Sequence, residues 1–391
     1  MVKVNGHAEP GYEKVRDAFA ANFDRQGDLG AAVTVYRHGR MVVDVWGGVS
    51  NGETGEPWKA DTMVRVASTT KGLTAVCANL LAQQGQLDLD APVVTYWPEF
   101  AAEGKESIPV RWLLGHKAGL PVVDRVFTAD DVFAWDPICE ALAAQRPIWE
   151  PGTVHGYHGQ TYGYLVGEVI RRASGRTVGT YLADEVAAPL GLDTFIGLPE
   201  EMLPRTARVV SPAYGGPADQ AEAQGGSSPL SPQQPDVPDA DAEHLAFMQR
   251  VYLFAHLRPD YNSPEWLRIE MPSANGVTTA RSLAKLYASL IGEVDGVRLF
   301  TPATLAAARS CQADGEDQVM RRVSRYGLGF ALPSPHMPLI GPGSFGHPGA
   351  GGSIGLADPE SGVAMAYVMN LHKMTDDDRA MSLIDAVRSS L

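Results

Sequence analysis

The chain has 391 residues, 45% of them hydrophobic and 20% charged, a balance that excludes disorder over most of its length and allows a large buried core. A formal charge of −14 argues against nucleic acid or an anionic membrane surface as a partner, because both reward clustered Lys and Arg. Cys77, Cys139 and Cys311 have no metal-like spacing, Met1–Glu13 has no apolar leader segment, and no run of about 18 apolar residues occurs, so a cytoplasmic protein with free thiols is expected.

Glu13–Arg25 carries Val15, Phe19 and Phe23 at helical spacing. Two β-rich runs follow, Ala31–Tyr36 and Met41–Trp46, and the turn-like Arg37-His38-Gly39-Arg40 between them predicts a hairpin. Val64-Arg65-Val66 reads as extended and leads into Ser68. Behind Ser68, the positions of Leu73, Val76, Cys77, Leu80 and Leu81 predict one apolar helical stripe that ends at Gly85. From there to about residue 295 the signals are mostly helical, including Gly163–Ala173 and a helix from Thr279 with Leu283, Leu286, Tyr287 and Leu290 on one face. Between these two, Ser211–Pro238 holds six prolines among Gly, Gln and Asp and reads as a long surface loop, either a lid or an insertion.

The remainder turns β-rich again: Tyr326–Leu332, Ser344–His347, Gly352–Ala357 and Val363–Asn370, with Asp358–Gly362 as the last turn. A final helix begins at the acidic Asp376–Asp378 run, which suits a helix N-terminus. Strands at both ends and helices between them predict an α/β (α+β) fold. One sheet domain comprises residues 1–75 and 296–391, and a mostly helical subdomain, residues 76–295, is inserted into it.

Ser68-Thr69-Thr70-Lys71 places a hydroxyl and an amine one turn apart at a helix start, where free N–H groups and the helix dipole add positive potential. Serine is inert without a base, so an amine held beside it is chemically meaningful. The spacing alone does not decide, because Ser282-Leu283-Ala284-Lys285 shares it on an amphipathic helix. Gly351-Gly352-Ser353-Ile354-Gly355 also matches a nucleophile elbow, but Ser353 leads into a strand, and only His372 follows as a possible triad histidine. His116, His155 and His158 read first as hydrogen-bonded structural histidines, and Tyr162 and Tyr164 as packing residues of a helix start.

Several segments together resemble the class C β-lactamase-like superfamily, and within it the family VIII carboxylesterases. Val66-Ala67-Ser68-Thr69-Thr70-Lys71-Gly72 resembles the nucleophile motif, and Leu87–Val93 the segment that follows its helix. Leu113-Leu114-Gly115-His116-Lys117-Ala118-Gly119-Leu120 resembles the family's Leu-Leu-x-His-x-x-Gly-Leu. Pro151-Gly152-Thr153 followed by Tyr157 resembles its Pro-Gly-x-x-x-x-Tyr, and His347-Pro348-Gly349 the His-x-Gly form of its Lys-Thr-Gly element. The resemblance spans nearly the whole chain and favours Ser68 over Ser282. It implies a β-lactamase-like fold with Ser68 as nucleophile, Lys71 as the adjacent amine and Tyr157 as base. His347 and Gly349 would line the site with His158, and the N–H groups of Ser68 and Ala350 would form the oxyanion hole. Glycines around Ala350 would let a substrate approach the backbone.

Two departures matter. The family's Tyr-x-Asn is Tyr157-His158-Gly159 here, and Lys-Thr-Gly has become His347-Pro348-Gly349. Both remove groups that hold a β-lactam and suit a neutral small or medium acyl ester. Lys71 is expected to stay charged and to favour a tyrosinate at Tyr157, with a neutral Lys71 base as the alternative. No cofactor or metal is implied. A transacylase, a D-aminopeptidase or weak β-lactamase, and a non-catalytic binding module on the same scaffold are the competing readings. The oligomeric state is not legible.

Overall fold

A computed structural model describes residues 2–211, 239–373 and 376–391. Apart from Ser211, the proline-rich run Ser211–Pro238 lies outside them. Seven strands build the main antiparallel sheet: β1 (Val4–Ala8), β2 (Gly30–Arg37), β3 (Arg40–Asn51), β4 (Phe345–Pro348), β5 (Ile354–Asp358) and β6 (Val363–Met369) in the order β1-β3-β2-β6-β5-β4, with the two-residue strand Glu56–Pro57 paired to β3. The two ends of the sequence therefore meet at the centre of one sheet, where β6 pairs with β2 from Val363↔Arg37 to Met369↔Ala31.

Strand β6 is buried along its whole length, so its side chains divide by period 2 between two apolar layers. Val363, Met365, Tyr367 and Met369 join Val33, Val35, Val43 and Val45 beneath two helices, α1 (Glu13–Gln26) and a C-terminal helix (Arg379–Arg388). Ala364, Ala366 and Val368 face the other way, into the layer that holds Leu283, Leu286, Tyr287 and Leu290. Small side chains on that face let the helix carrying those residues, Ala280–Ile291, lie close to the sheet.

The helical half rests on α2 (Thr70–Gln83), which is buried from Thr70 to Leu81 and packs on α3 (Thr161–Ser174). A division at residues 75/76 thus falls inside a continuous helix, and Ala280–Ile291 packs with the sheet instead of with the insert. A small second sheet, Val64–Arg65 with Gly276–Thr278 and Thr194–Ile196, ties the start of α2 to the middle of the chain. The run Tyr326–Leu332 is not one strand. Val323–Tyr326 pairs with Ala313–Glu316, the chain turns through 327–330, and Ala331 then bridges to Tyr326 and Gly346.

Candidate active site

Ser68 sits at a backbone elbow. Ala67 has φ +44°, a left-handed conformation that is unfavourable for a residue with a Cβ. The surroundings hold it there. The Val66 N–H donates to the Gly276 carbonyl at 2.9 Å, and Thr70 Oγ1 donates to the Ala67 carbonyl at 2.5 Å while accepting from the Gly276 N–H at 2.7 Å. A single 3₁₀ turn, Ala67–Thr69, then feeds α2. Along this turn Ala67, Thr69, Thr70 and Lys71 are buried and Ser68 alone is partly open to solvent. Strain fixed by several hydrogen bonds at one exposed hydroxyl is characteristic of a functional position.

Lys71 Nζ lies 3.2 Å from Ser68 Oγ and donates to the Ser273 carbonyl at 2.9 Å. The amine is fully buried, and no carboxylate pairs with it among the described residues. Burial therefore lowers its pKa well below the ordinary lysine value. Tyr157 stands on the other side, its ring centroid 4.8 Å from Lys71 Nζ. Burial raises the Tyr157 phenol well above its ordinary range, Tyr326 adds to this, and contact with the Ser68 hydroxyl opposes only part of it. Burial thus works against the expected charged Lys71 beside a tyrosinate, because it disfavours both the ammonium and the phenolate, and no carboxylate pairs with Lys71 among the described residues.

Asp317 and His116 place Tyr157. Asp317 Oδ1 accepts the N–H groups of Tyr157, Val319 and Met320, each at 2.9 Å. His116 Nδ1 accepts the His158 N–H at 3.1 Å, and its ring packs 5.1 Å from that of Tyr157 and 4.6 Å from that of Tyr326. His158, expected to line the pocket, uses both ring nitrogens elsewhere. Nε2 accepts the Leu120 N–H at 3.0 Å and Nδ1 donates to the Gly156 carbonyl at 2.7 Å, which leaves no polar atom for a substrate. His155 contacts Ser324 Oγ at 2.9 Å. Gly159 packs where a Cβ would stand 2.7 Å from Val251, so the family's asparagine has no room at that position.

The opposite wall is the end of β4. His347 is buried, its Nδ1 donates to the Pro348 carbonyl at 2.7 Å, and its Nε2 has no partner among the described residues. Burial pushes its pKa down to about 3, with nearby Lys71 adding to the effect, so the ring is neutral at physiological pH. The Gly349 N–H donates to the Ser353 carbonyl at 2.7 Å, whereas the Ser68 and Ala350 amides donate to no protein group among the described residues.

Gly349 has a packing reason to be glycine: a Cβ there would lie 2.3 Å from the Val66 carbonyl oxygen and from Ser353 Oγ. The missing side chain lets the wall close onto the elbow. Behind the wall, Arg379 is completely buried. It donates to the Gly351 carbonyl at 2.6 Å and to the Leu371 carbonyl at 3.0 Å, and it is ion-paired with Asp28 at 2.5 Å and Asp377 at 2.7 Å. The sequence gives no local motif for Arg379, Asp317 or Ser273.

The competing serines have structural partners. Ser353 Oγ donates to the Val66 carbonyl at 2.9 Å and contacts Thr69 Oγ1 at 3.0 Å, so it pins the wall to the elbow. Ser282 Oγ accepts the Asp193 N–H at 2.9 Å, and Lys285 pairs with Asp295 at 2.7 Å. Tyr162 and Tyr164 are both fully buried, Tyr162 with its hydroxyl 3.5 Å from the Lys71 carbonyl.

A half-exposed serine one turn from a desolvated amine, on a mixed helix–sheet scaffold of this topology, defines a serine hydrolase. The chain belongs to the Beta-lactamase family, which it matches over residues 15–388. It is 34% identical over 389 residues to an esterase/β-lactamase, LipL, of Mycobacterium tuberculosis, covering 94% of this chain and 83% of that one. Among solved structures, a family VIII carboxylesterase superposes with a TM-score of 0.84 at 34% identity, covering all of both chains. A penicillin-binding protein homologue from Caulobacter crescentus gives 0.83 at 36%, again over both chains in full. The fold expected from the motifs is the fold observed. No helix among the described residues is long and apolar enough to cross a membrane.

Proposed function

We propose that this protein is a carboxylesterase that hydrolyses small or medium neutral acyl esters through an acyl-enzyme on Ser68. The observation that carries the reading is the Lys71 amine, buried 3.2 Å from a partly open serine hydroxyl and paired with no carboxylate among the described residues. Neutral Lys71 takes the Ser68 proton as the oxygen attacks the ester carbonyl, and the Ser68 and Ala350 amides receive the oxyanion. As the tetrahedral intermediate collapses, the proton on Lys71 passes through the Tyr157 hydroxyl to the departing alkoxide. Water then attacks the acyl group, gives its proton back along the same route, and frees the acid and Ser68. This sequence needs no cofactor. Three free cysteines, two of them buried, fit a reducing cytoplasmic setting.

The wall favours an ester over a β-lactam. A neutral His347 offers no permanent cation to a lactam carboxylate, and Val251 occupies the space that an amide at position 159 would need. The expected kcat/KM for a p-nitrophenyl butyrate exceeds that for nitrocefin by at least about 10³-fold, equivalent to roughly 4 kcal/mol of transition-state stabilisation. Comparable values for the two substrates would sink the ester assignment. The same assay with added alcohols or amines separates hydrolysis from acyl transfer, since a transacylase partitions its acyl group to the acceptor.

Tyr157→Phe is expected to lower kcat/KM by roughly 10²–10⁴-fold, the range for loss of a proton-transfer group, with little loss of stability because the ring is kept. Tyr162→Phe should stay within about tenfold of the parent on the same scale. A larger loss for Tyr162 would move the relay to that residue.

A further inference from the structure

A cavity of about 670 Å³ opens in the helical half and shares no residue with the Ser68 site. Its volume lies within the roughly 300–1,000 Å³ usual for small-molecule sites. Phe133, Trp135, Val178, Pro264 and Ile269 supply an apolar and aromatic wall. Trp135 is held in a backbone conformation that a bulky residue rarely adopts, φ 63° and ψ −61°, between two helical segments. Its indole is fixed by a hydrogen bond from Nε1 to Glu168 at 2.9 Å and by the Tyr164 ring at 4.9 Å. A strained, immobilised tryptophan on a cavity rim is a preorganised surface.

The charges of this cavity do not balance. Both lining arginines are already paired, Arg171 with Glu168 at 2.8 Å and Asp136 at 3.4 Å, and Arg268 with Glu200 at 3.2 Å. Glu270 has no such partner. Its carboxylate accepts only from the Thr177 hydroxyl at 2.6 Å and the Gly179 N–H at 2.9 Å, and no cation pairs with it among the described residues. Partial burial makes this carboxylate harder to ionise, a penalty that an opposite charge bound beside it would offset. Glu265, also on the lining and without an ion pair among the described residues, adds a second negative charge at the mouth.

We infer that this cavity is a binding site for a hydrophobic organic cation, an alkyl- or arylammonium whose charge meets Glu270 and whose body lies against Trp135 and Phe133. Aromatic faces attract a quaternary ammonium through their quadrupoles, and a carboxylate without its own cation supplies the remaining complementarity. Neutral apolar molecules would leave Glu270 uncompensated, and anions would be repelled. The site is independent of the hydrolytic reaction.

The test uses the full chain and phenyltrimethylammonium, followed by calorimetry and by tryptophan fluorescence. Its neutral isostere tert-butylbenzene is the comparison. The cation is expected to bind saturably, at least tenfold tighter than the isostere, and Glu270→Gln should weaken it by tenfold or more. Phe133→Ala removes a ring that is 46% exposed, so it spares the fold, and it should weaken the cation several-fold. Equal binding of cation and isostere overturns the inference, as does parental affinity in both variants. Loss of binding after Ser68 is blocked with a phosphonate would place the cation in the hydrolytic site and overturns it too. If Glu270→Gln melts at a lower temperature, the isostere comparison and Phe133→Ala decide.

Discussion

Ser68→Ala is expected to abolish ester turnover and covalent labelling by a fluorophosphonate, with a loss on the order of 10⁶-fold, the scale for removal of a serine nucleophile. That corresponds to about 8 kcal/mol of barrier. The substitution deletes a hydroxyl that is partly open to solvent, so the fold should survive. Ser282→Ala and Ser353→Ala should both still label. Ser353 Oγ holds the Val66 carbonyl and Thr69 Oγ1, so its variant is expected to lose about 1 kcal/mol of stability for the lost hydrogen bonds while keeping Ser68. Intact-mass and peptide analysis of the labelled protein checks all three, and an adduct on Ser353 or Ser282 would falsify the assignment.

Lys71→Ala and Lys71→Arg should each lower kcat/KM by roughly 10²–10⁴-fold. The amine must be short enough to sit against Ser68 and able to exist without a proton; a guanidinium is larger, planar and effectively always charged. The pH dependence separates a base from a fixed charge. In the parent, kcat/KM should rise with pH as Lys71 loses its proton, with a midpoint below the free-lysine value of about 10.4 because burial disfavours the ammonium. In both variants that limb should vanish. An Arg variant with near-parental rates would instead make Lys71 a permanent cation. Near-parental rates in the Ala variant would make it a bystander.

The sequence made the scaffold legible where a strong period or a dense motif stands in it. The β-rich run Val363–Asn370 and the stripe Leu73–Leu81 mark one sheet strand and one buried helix, and the family-like motifs taken together single out Ser68. It was silent where elements are too short to show a period. Val64–Arg65 reads as extended, but its partners Gly276–Thr278 and Thr194–Ile196, three residues each, give no signal, yet the three together bring Ser273 to Lys71. The choice between a charged and a neutral Lys71 stayed open in the sequence because it depends on burial, which only the packed chain defines. His158 was misplaced for a related reason: proximity to Tyr157 in the chain says nothing about where two ring nitrogens find partners. The glycines beside Ala350 were noticed for a substrate's approach, and packing supplies a reason that the sequence does not show, since Val66, Ser353 and His372 crowd the space a side chain would take.

The Arg379 guanidinium joins residues made at very different moments of synthesis. Asp28 emerges near the beginning, Gly351 and Arg379 hundreds of residues later, and the wall beside Ala350 is braced only when all three meet. A nascent chain stopped short of residue 379 therefore holds Ser68, Lys71 and Tyr157 but lacks the brace for the wall beside Ala350. Contacts of such large sequence separation form late and slowly. The position of the Ala350 amide beside Ser68 therefore depends on residues drawn from widely separated parts of the chain.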